Sequence, residues 1–399
     1  MFSLPVRLVI SVTLAFVLSS HLDVHAVNIF YTISTFLKDI LLLLIPFVVF
    51  SYLCSAILNL QGQAVFLIFA VFGFVILANI INVLTAYGAA FCLVDFLKPI
   101  NFETIQNQNI VEAIWRVPFG AILTSGEALL LGFFVGITGL LFGFFKNSAA
   151  TQFITKIVSK LKILTTKVLN IAFIPFLPVY VFGFVLKIGF EGELGTLATA
   201  YAPVFFLSLI IIHSYLFFWY AVGCSGNFSE TIKSIRNMVP AWLTGFSTMS
   251  SAATLPITLK CVEINTQNSQ LTNFVVPATA NVHMVGDGIN ITLTSLALLV
   301  MSGGSMPSFT AFLMYVGAYV ITKFSGSGIP SGGMIILLPV VQEHLGLSAD
   351  LCSLVATLYI LQDSLMTASN VAGNGAFALI CNKLFAKKLS VLKKSSSAS

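Results

Sequence analysis

Apolar runs of twenty residues and more recur along this chain, and they leave it one solvent in which to fold. Of its 399 residues 58% are hydrophobic and only 8% charged, and 37 are phenylalanine. A water-soluble domain of that size has to cover roughly half its exterior with polar atoms, which this composition does not supply. In lipid, every backbone N–H and C=O must find a partner inside the protein, so only helices and closed barrels span. The runs are continuous rather than alternating with period two, and helices are therefore expected.

The ~20-residue criterion gives eight candidate spans, 6–26, 31–60, 63–97, 117–145, 165–189, 197–223, 272–302 and 350–384. Two further stretches, 235–262 and 308–348, are apolar but interrupted by Gly, Pro and Ser, the pattern of re-entrant hairpins buried in protein. With a cytoplasmic N-terminus, a loop carrying Lys146, Lys156, Lys160, Lys162 and Lys167 falls inside. So do Lys233, Arg236 and the tail lysines 387, 388, 393 and 394, as positive-inside orientation requires. A cleaved signal peptide around Arg7 is the alternative; it would leave seven spans and turn the basic loops outward. The net charge of +5 lies in these loops and is no nucleic-acid signature, and the six cysteines show no CxxC or Cys/His spacing. No disulfide, resident metal or organic cofactor is expected.

Three constellations carry the chemistry. The segments GFSTMSSAATLP (Gly245 to Pro256) and SGSGIPSGG (Ser325 to Gly333) are polar, helix-breaking and each followed by an apolar helix. Doubling of that kind points to a transporter site between inverted repeats. On the last long span Asp363, Thr367, Asn370 and Asn374 fall within about 60° of one another at 100° per residue and form one polar stripe. An ionisable group at membrane depth is by default functional, whereas Thr and Asn also serve as hydrogen-bonding glue between helices. The third constellation is His283, Met284, Gly286, Asp287, Gly288 and Asn290, in which two glycines suggest local unwinding.

These residues resemble the dicarboxylate/amino acid:cation symporters, the family of the glutamate and neutral amino acid transporters. The resemblance runs from LKDILLLLIPFVVF (Leu37 to Phe50) through GFSTMSSAATLP and SGSGIP to NVAGN (Asn370 to Asn374). It implies an all-α membrane protein of eight transmembrane helices plus two re-entrant hairpins, in inverted repeats, working as an elevator-type homotrimer in the cell (inner) membrane. The implied divisions are a scaffold of 1–62 and 117–190, a transport domain of 63–116 and 191–390, and a cytoplasmic tail, 391–399. Ser250 and Ser251 would meet the substrate carboxylate, Asp363 its α-ammonium, and Asn370 would assist at the α-carboxylate. Gly328, Ile329 and Pro330 would form the tip of the gate. Met284, Asp287, Met366 and Thr367 complete the candidate substrate residues, and Thr279, His283, Asp287, Asn370 and Asn374 are the candidates for cation or proton coupling.

The departures bear on specificity. Met366 stands where dicarboxylate carriers have an arginine, HMVGD (His283 to Asp287) replaces NMDGT, Asn374 replaces an acid, and Ala252 a serine. An ungapped register places Asp287 toward the substrate side chain; a two-residue insertion would instead match it to the aspartate of NMDGT. The expected activity is symport of a neutral or basic amino acid in preference to an acidic one, driven by protons, sodium or both. His283 and Asp287, four residues apart, are expected to lie close enough to titrate together. A sodium-coupled dicarboxylate or glutamate symporter is the alternative within the family. A different class is an intramembrane aspartyl enzyme built from Asp287 and Asp363, although neither lies in a GxGD context. Lipid, the transported small molecule and copies of the same chain are the expected partners.

Overall fold

A computed structural model describes residues 4–58, 65–97, 111–115, 123, 125–144, 148–192, 194–326 and 330–396, and all regular structure among them is helical. In chain order the helices are α1 (Leu4–Ser19), α2 (Val24–Leu58), α3 (Val65–Leu93), α4 (Ser125–Phe144), α5 (Ser148–Val168), α6 (Leu177–Phe190) and α7 (Leu194–Gly223). They continue with α8 (Phe228–Thr248), α9 (Ser251–Thr266), α10 (Ser269–Thr279), α11 (Val285–Met301), α12 (Phe309–Lys323), α13 (Gly332–Leu345) and α14 (Ala349–Ser396).

Among the described residues three helical segments, Ala70–Phe96, Thr199–Gly223 and Ala349–Phe385, are long and apolar enough to cross a bilayer. They correspond to the expected spans 63–97, 197–223 and 350–384. Shorter apolar helices account for much of the rest. Phe134, Phe206, Ile210 and Met314 lie on outer faces of the fold, as side chains solvated by acyl chains do.

The helices pack in two groups. In one, α2 lies against α4, α5 and α6, and α1 against α6. In the other, α14 is the axis: α7 to α11 and α13 all pack on it, and α3 packs on α11 and α12. Between Cys352 and Cys381 α14 is buried on nearly every side, the condition in which an apolar helix with one polar stripe hides the stripe inside protein. The groups meet where α13 reaches α2 and where α14 reaches α1 and α6.

Both expected hairpins form. The first, α8 with α9, turns at Met249, whose φ of 52° is left-handed; Ser250 then caps α9 by accepting from the Ala253 N–H at 3.2 Å. It begins at Phe228 rather than 235, because Asn227 accepts from the Glu230 N–H at 3.1 Å and starts the helix earlier. The second pairs α12 with α13, which starts after Ser331 at φ 57°. The expected tip residues Gly328 and Ile329 lie outside the described residues, and Pro330 is partly buried beside Ser331.

Two sequence expectations are corrected. The lysine-rich stretch is not a loop: 148–168 is the helix α5, with Lys156, Lys160 and Lys167 exposed and the Lys162 ammonium 4.8 Å from the centre of the Tyr52 ring. The span 272–302 is broken, but ahead of its glycines: the backbone leaves helix between Thr279 and Val285, and both glycines sit in the first turn of α11. Their service is close approach. A Cβ on Gly286 would stand 2.6 Å from the Met366 carbonyl oxygen, and one on Gly288 would stand 3.0 Å from the Tyr319 hydroxyl and 3.2 Å from Asn82 Cβ.

Gly286→Ala should therefore push α11 off α14, with a loss of ~1–3 kcal/mol typical of an overpacked core. A lowered melting temperature of the purified protein in detergent would show it, while Gly317→Ala, where a methyl meets nothing within 4 Å, should show no loss.

Candidate substrate site

The break before α11 exposes the amides of its first turn, and Met284 at the cap position makes no side-chain cap. The amides are satisfied from another helix: Asn370 Oδ1 on α14 accepts from the N–H of Gly286 at 2.8 Å and of Asp287 at 3.3 Å. Capping α11 in this way turns the Asp287 carboxylate toward α12 and α14. Its Oδ1 accepts from Asn370 Nδ2 at 2.7 Å and from the Tyr359 hydroxyl at 2.8 Å. Its Oδ2 accepts from Lys323 Nζ at 2.7 Å, in an ion pair whose side chains are 0% and 1% exposed.

One turn further along α14 from Tyr359 lies the second acid. Asp363 Oδ2 accepts from the backbone N–H of Ser331 at 2.5 Å and from its hydroxyl at 3.1 Å; Oδ1 accepts from Thr367 Oγ1 at 3.0 Å. The Tyr359 hydroxyl is 3.4 Å from that same oxygen, so its single proton serves the nearer Asp287. Ser331 is the residue at the start of α13, and the helix amide end thus points at a carboxylate, the favourable sense for the helix dipole.

Around these groups is a polar cavity lined by Met249 and Ser251 of the first hairpin, Met284 and Asp287, Gly332 and Gly333 of the second hairpin, and Tyr359, Asp363, Thr367 and Asn370 of α14. Three helix N-termini, those of α9, α11 and α13, reach its wall. Converging amide ends favour a carboxylate, and a buried Asp363 favours a cation; together they suit a ligand carrying both charges. Gly333 is required there, because a Cβ would run into Asp287 Oδ2 and come within 3.2 Å of Lys323 Nζ.

Of the residues expected from sequence, the cavity brings together Ser251, Met284, Asp287, Asp363, Thr367 and Asn370. Others fall elsewhere. Met366 is fully buried with its backbone against Gly286, and Thr279 turns its hydroxyl back to the Val275 carbonyl at 2.9 Å. Asn374 Nδ2 donates to the Asn370 carbonyl at 3.0 Å, one turn beyond the cavity.

His283 is the main correction. It sits in the unwound turn, not on α11, with its ring centroid 4.7 Å from that of Phe377 and its Nδ1 unpartnered. It lines a separate, apolar cavity with Phe74, Tyr215 and Trp219. The helical spacing that would have set it beside Asp287 does not exist there, and Asp287 takes Lys323, Tyr359 and Asn370 as partners instead.

Sequence reasoning missed Lys323, Tyr359 and Ser331. The signal for Lys323 was available, since it is a lone ammonium among the apolar residues of α12 at membrane depth. Tyr359 continues the polar stripe four residues before Asp363. Ser331 lay inside the expected hairpin segment, but its bond to Asp363 depends on how α13 docks.

Long apolar helices, two helical hairpins and a charged cavity between them fit a multi-pass membrane protein that takes a small molecule. The family model described as the sodium:dicarboxylate symporter family matches residues 4–384, and the chain belongs to that family of membrane transporters. It is also similar to a Caenorhabditis elegans protein named "Putative sodium-dependent excitatory amino acid transporter glt-4", with 28% identity over 154 residues. That alignment covers 38% of this chain and 30% of the relative's length.

Tyr359→Phe removes the hydroxyl that stands between the two acids and leaves Asp287 Oδ1 with Asn370 alone. A loss of ~1.5–3 kcal/mol is expected for a hydrogen bond to a charged group, measured as reduced thermal stability of the purified protein.

Proposed function

We propose that this protein is a secondary active symporter that takes up an amino acid, neutral or basic in preference to acidic, together with a cation. Transport is by an elevator mechanism in which the α14 group moves past the α2 group, in a homotrimer of the cell (inner) membrane. Membership of a symporter family supports the class. The observation that carries the substrate reading is the charge balance of the cavity: Asp287 is already neutralised by Lys323, and Asp363 is left facing only hydroxyl and amide donors. An α-ammonium leaving water needs a charge partner, and Asp363 supplies it. The carboxylate of the same ligand then meets the amide end at Ser251.

In this reading Ser331 holds the place of the ammonium. Its N–H and hydroxyl give way when substrate enters, so binding and movement of the second hairpin are one event. A second carboxylate on the ligand would find no uncommitted cation among the described residues of the cavity, since the Lys323 ammonium is engaged and Met366 is packed against Gly286.

One observation favours a second reading, a sodium-coupled carrier of glutamate or a dicarboxylate. Lys323 is an ammonium beside the cavity, and a ligand carboxylate able to displace Asp287 would recruit it. The name of the nematode relative points the same way.

Uptake into proteoliposomes, under a sodium gradient at fixed pH and a pH gradient without sodium, separates these readings. Neutral amino acids should be concentrated, with glutamate and succinate weaker by ~100-fold or more, because burying an unpaired carboxylate is costly. Saturable glutamate uptake that neutral amino acids leave untouched would replace the first reading by the second. In the same assay Asp363→Asn should abolish amino-acid binding, a loss of ~2–5 kcal/mol, while the Asn side chain still accepts from Ser331 and the protein folds.

A further inference from the structure

The sodium-drive question turns on a residue outside the substrate contacts. Lys323 is the last residue of α12, the first arm of the second hairpin, and its side chain is 0% exposed. Its ammonium lies 2.7 Å from Asp287 Oδ2, in the first turn of α11, and 3.1 Å from the Sδ of Met284, the cap residue of that helix. It also stands 5.9 Å from the centre of the Tyr319 ring. A mobile cation bridging a hairpin to α11 at this point would rest on the same carboxylate, and the lysine fills that position with a charge that cannot leave. Gly333, the second residue of the second arm of the same hairpin, has no room for a Cβ beside the pair, so both arms close down on one ion pair.

We propose that Lys323 is a tethered cation: its ammonium neutralises Asp287 and locks the second hairpin to α11, so that this position needs no cotransported ion. The proposal rests on the symporter reading above and deepens it, since it removes one ion from the coupling at Asp287. An ion pair serving only stability would do as well if both partners were replaced by neutral groups, and it would confer no response to sodium when the lysine alone is lost. A tethered cation predicts such a response. Lys323→Met leaves the Asp287 carboxylate, its Tyr359 and Asn370 donors and the Met284 sulfur, with space where the ammonium was.

The test is thermal unfolding of the purified full-length protein in sodium chloride against choline chloride at equal ionic strength. The wild type, K323M, K323Q and the K323M/D287N double variant are compared without substrate. K323M and K323Q should gain a stabilisation by sodium that the wild type lacks, a rise of about 3 °C or more in about 300 mM sodium that grows with the logarithm of its concentration. The double variant should fold and lose that response. Recovery of the single variants only when sodium is present throughout purification is the same result in stronger form.

A sodium response in K323M and K323Q no larger than in the wild type, or one that persists in the double variant, would overturn the proposal. So would failure of the single variants in both salts, or failure of the double variant to fold. No substrate enters this measurement, so an error in the transport reading is seen separately, as absence of uptake into proteoliposomes.

Discussion

A lysine and an aspartate, both withdrawn from water, hold the centre of this molecule. Lys323 and Asp287 come from helices that are separated in the chain, and neither charge is tolerable at depth without the other. Their pairing draws in the rest. Asp287 points inward only because Asn370 has taken the amides of the first α11 turn, and it stays there because Tyr359 and Asn370 satisfy its second oxygen. The α13 start approaches the pair only because residue 333 is glycine.

The same demand for satisfied polar groups explains why the site lies where helices stop. A helix that ends inside a membrane leaves unpaired amides, which must be met by side chains or by a ligand. At α11 the partner is Asn370, at α9 the Ser250 side chain, and at α13 the carboxylate of Asp363 is the acceptor for Ser331. In the proposed function each is a contact that a ligand or a moving hairpin replaces. The buried α14 stripe is therefore the structural floor of the cavity and, in the proposed function, the part that recognises what enters it.

The two acids illustrate how one cavity separates two tasks. Asp287 is saturated by a full positive charge and two neutral donors, whereas the donors to Asp363 among the described residues are neutral. Tyr359, standing between them, joins the one to the other at 2.8 and 3.4 Å. In the proposed transport cycle the incompletely balanced acid is the one that meets substrate. In the same reading the balanced one fixes the second hairpin to α11.

Hydrophobic run length and helical periodicity are properties of consecutive residues, and the features that depend on them were legible. The apolar runs dictated helices in lipid, the Gly, Ser and Pro clusters marked both hairpins, and a period of 3.6 placed Asp363, Thr367 and Asn370 on one face of α14. Local readings failed where the next contact came from another helix. His283 and Asp287 are four residues apart but on opposite sides of a helix start, so they face different cavities. Sequence determined that Lys323 and Asp287 are charges in an apolar chain and so in need of partners. Only the tertiary structure decided that they are each other's, because the folding back of the second hairpin, and not any spacing along the chain, brings the ammonium to 2.7 Å from the carboxylate.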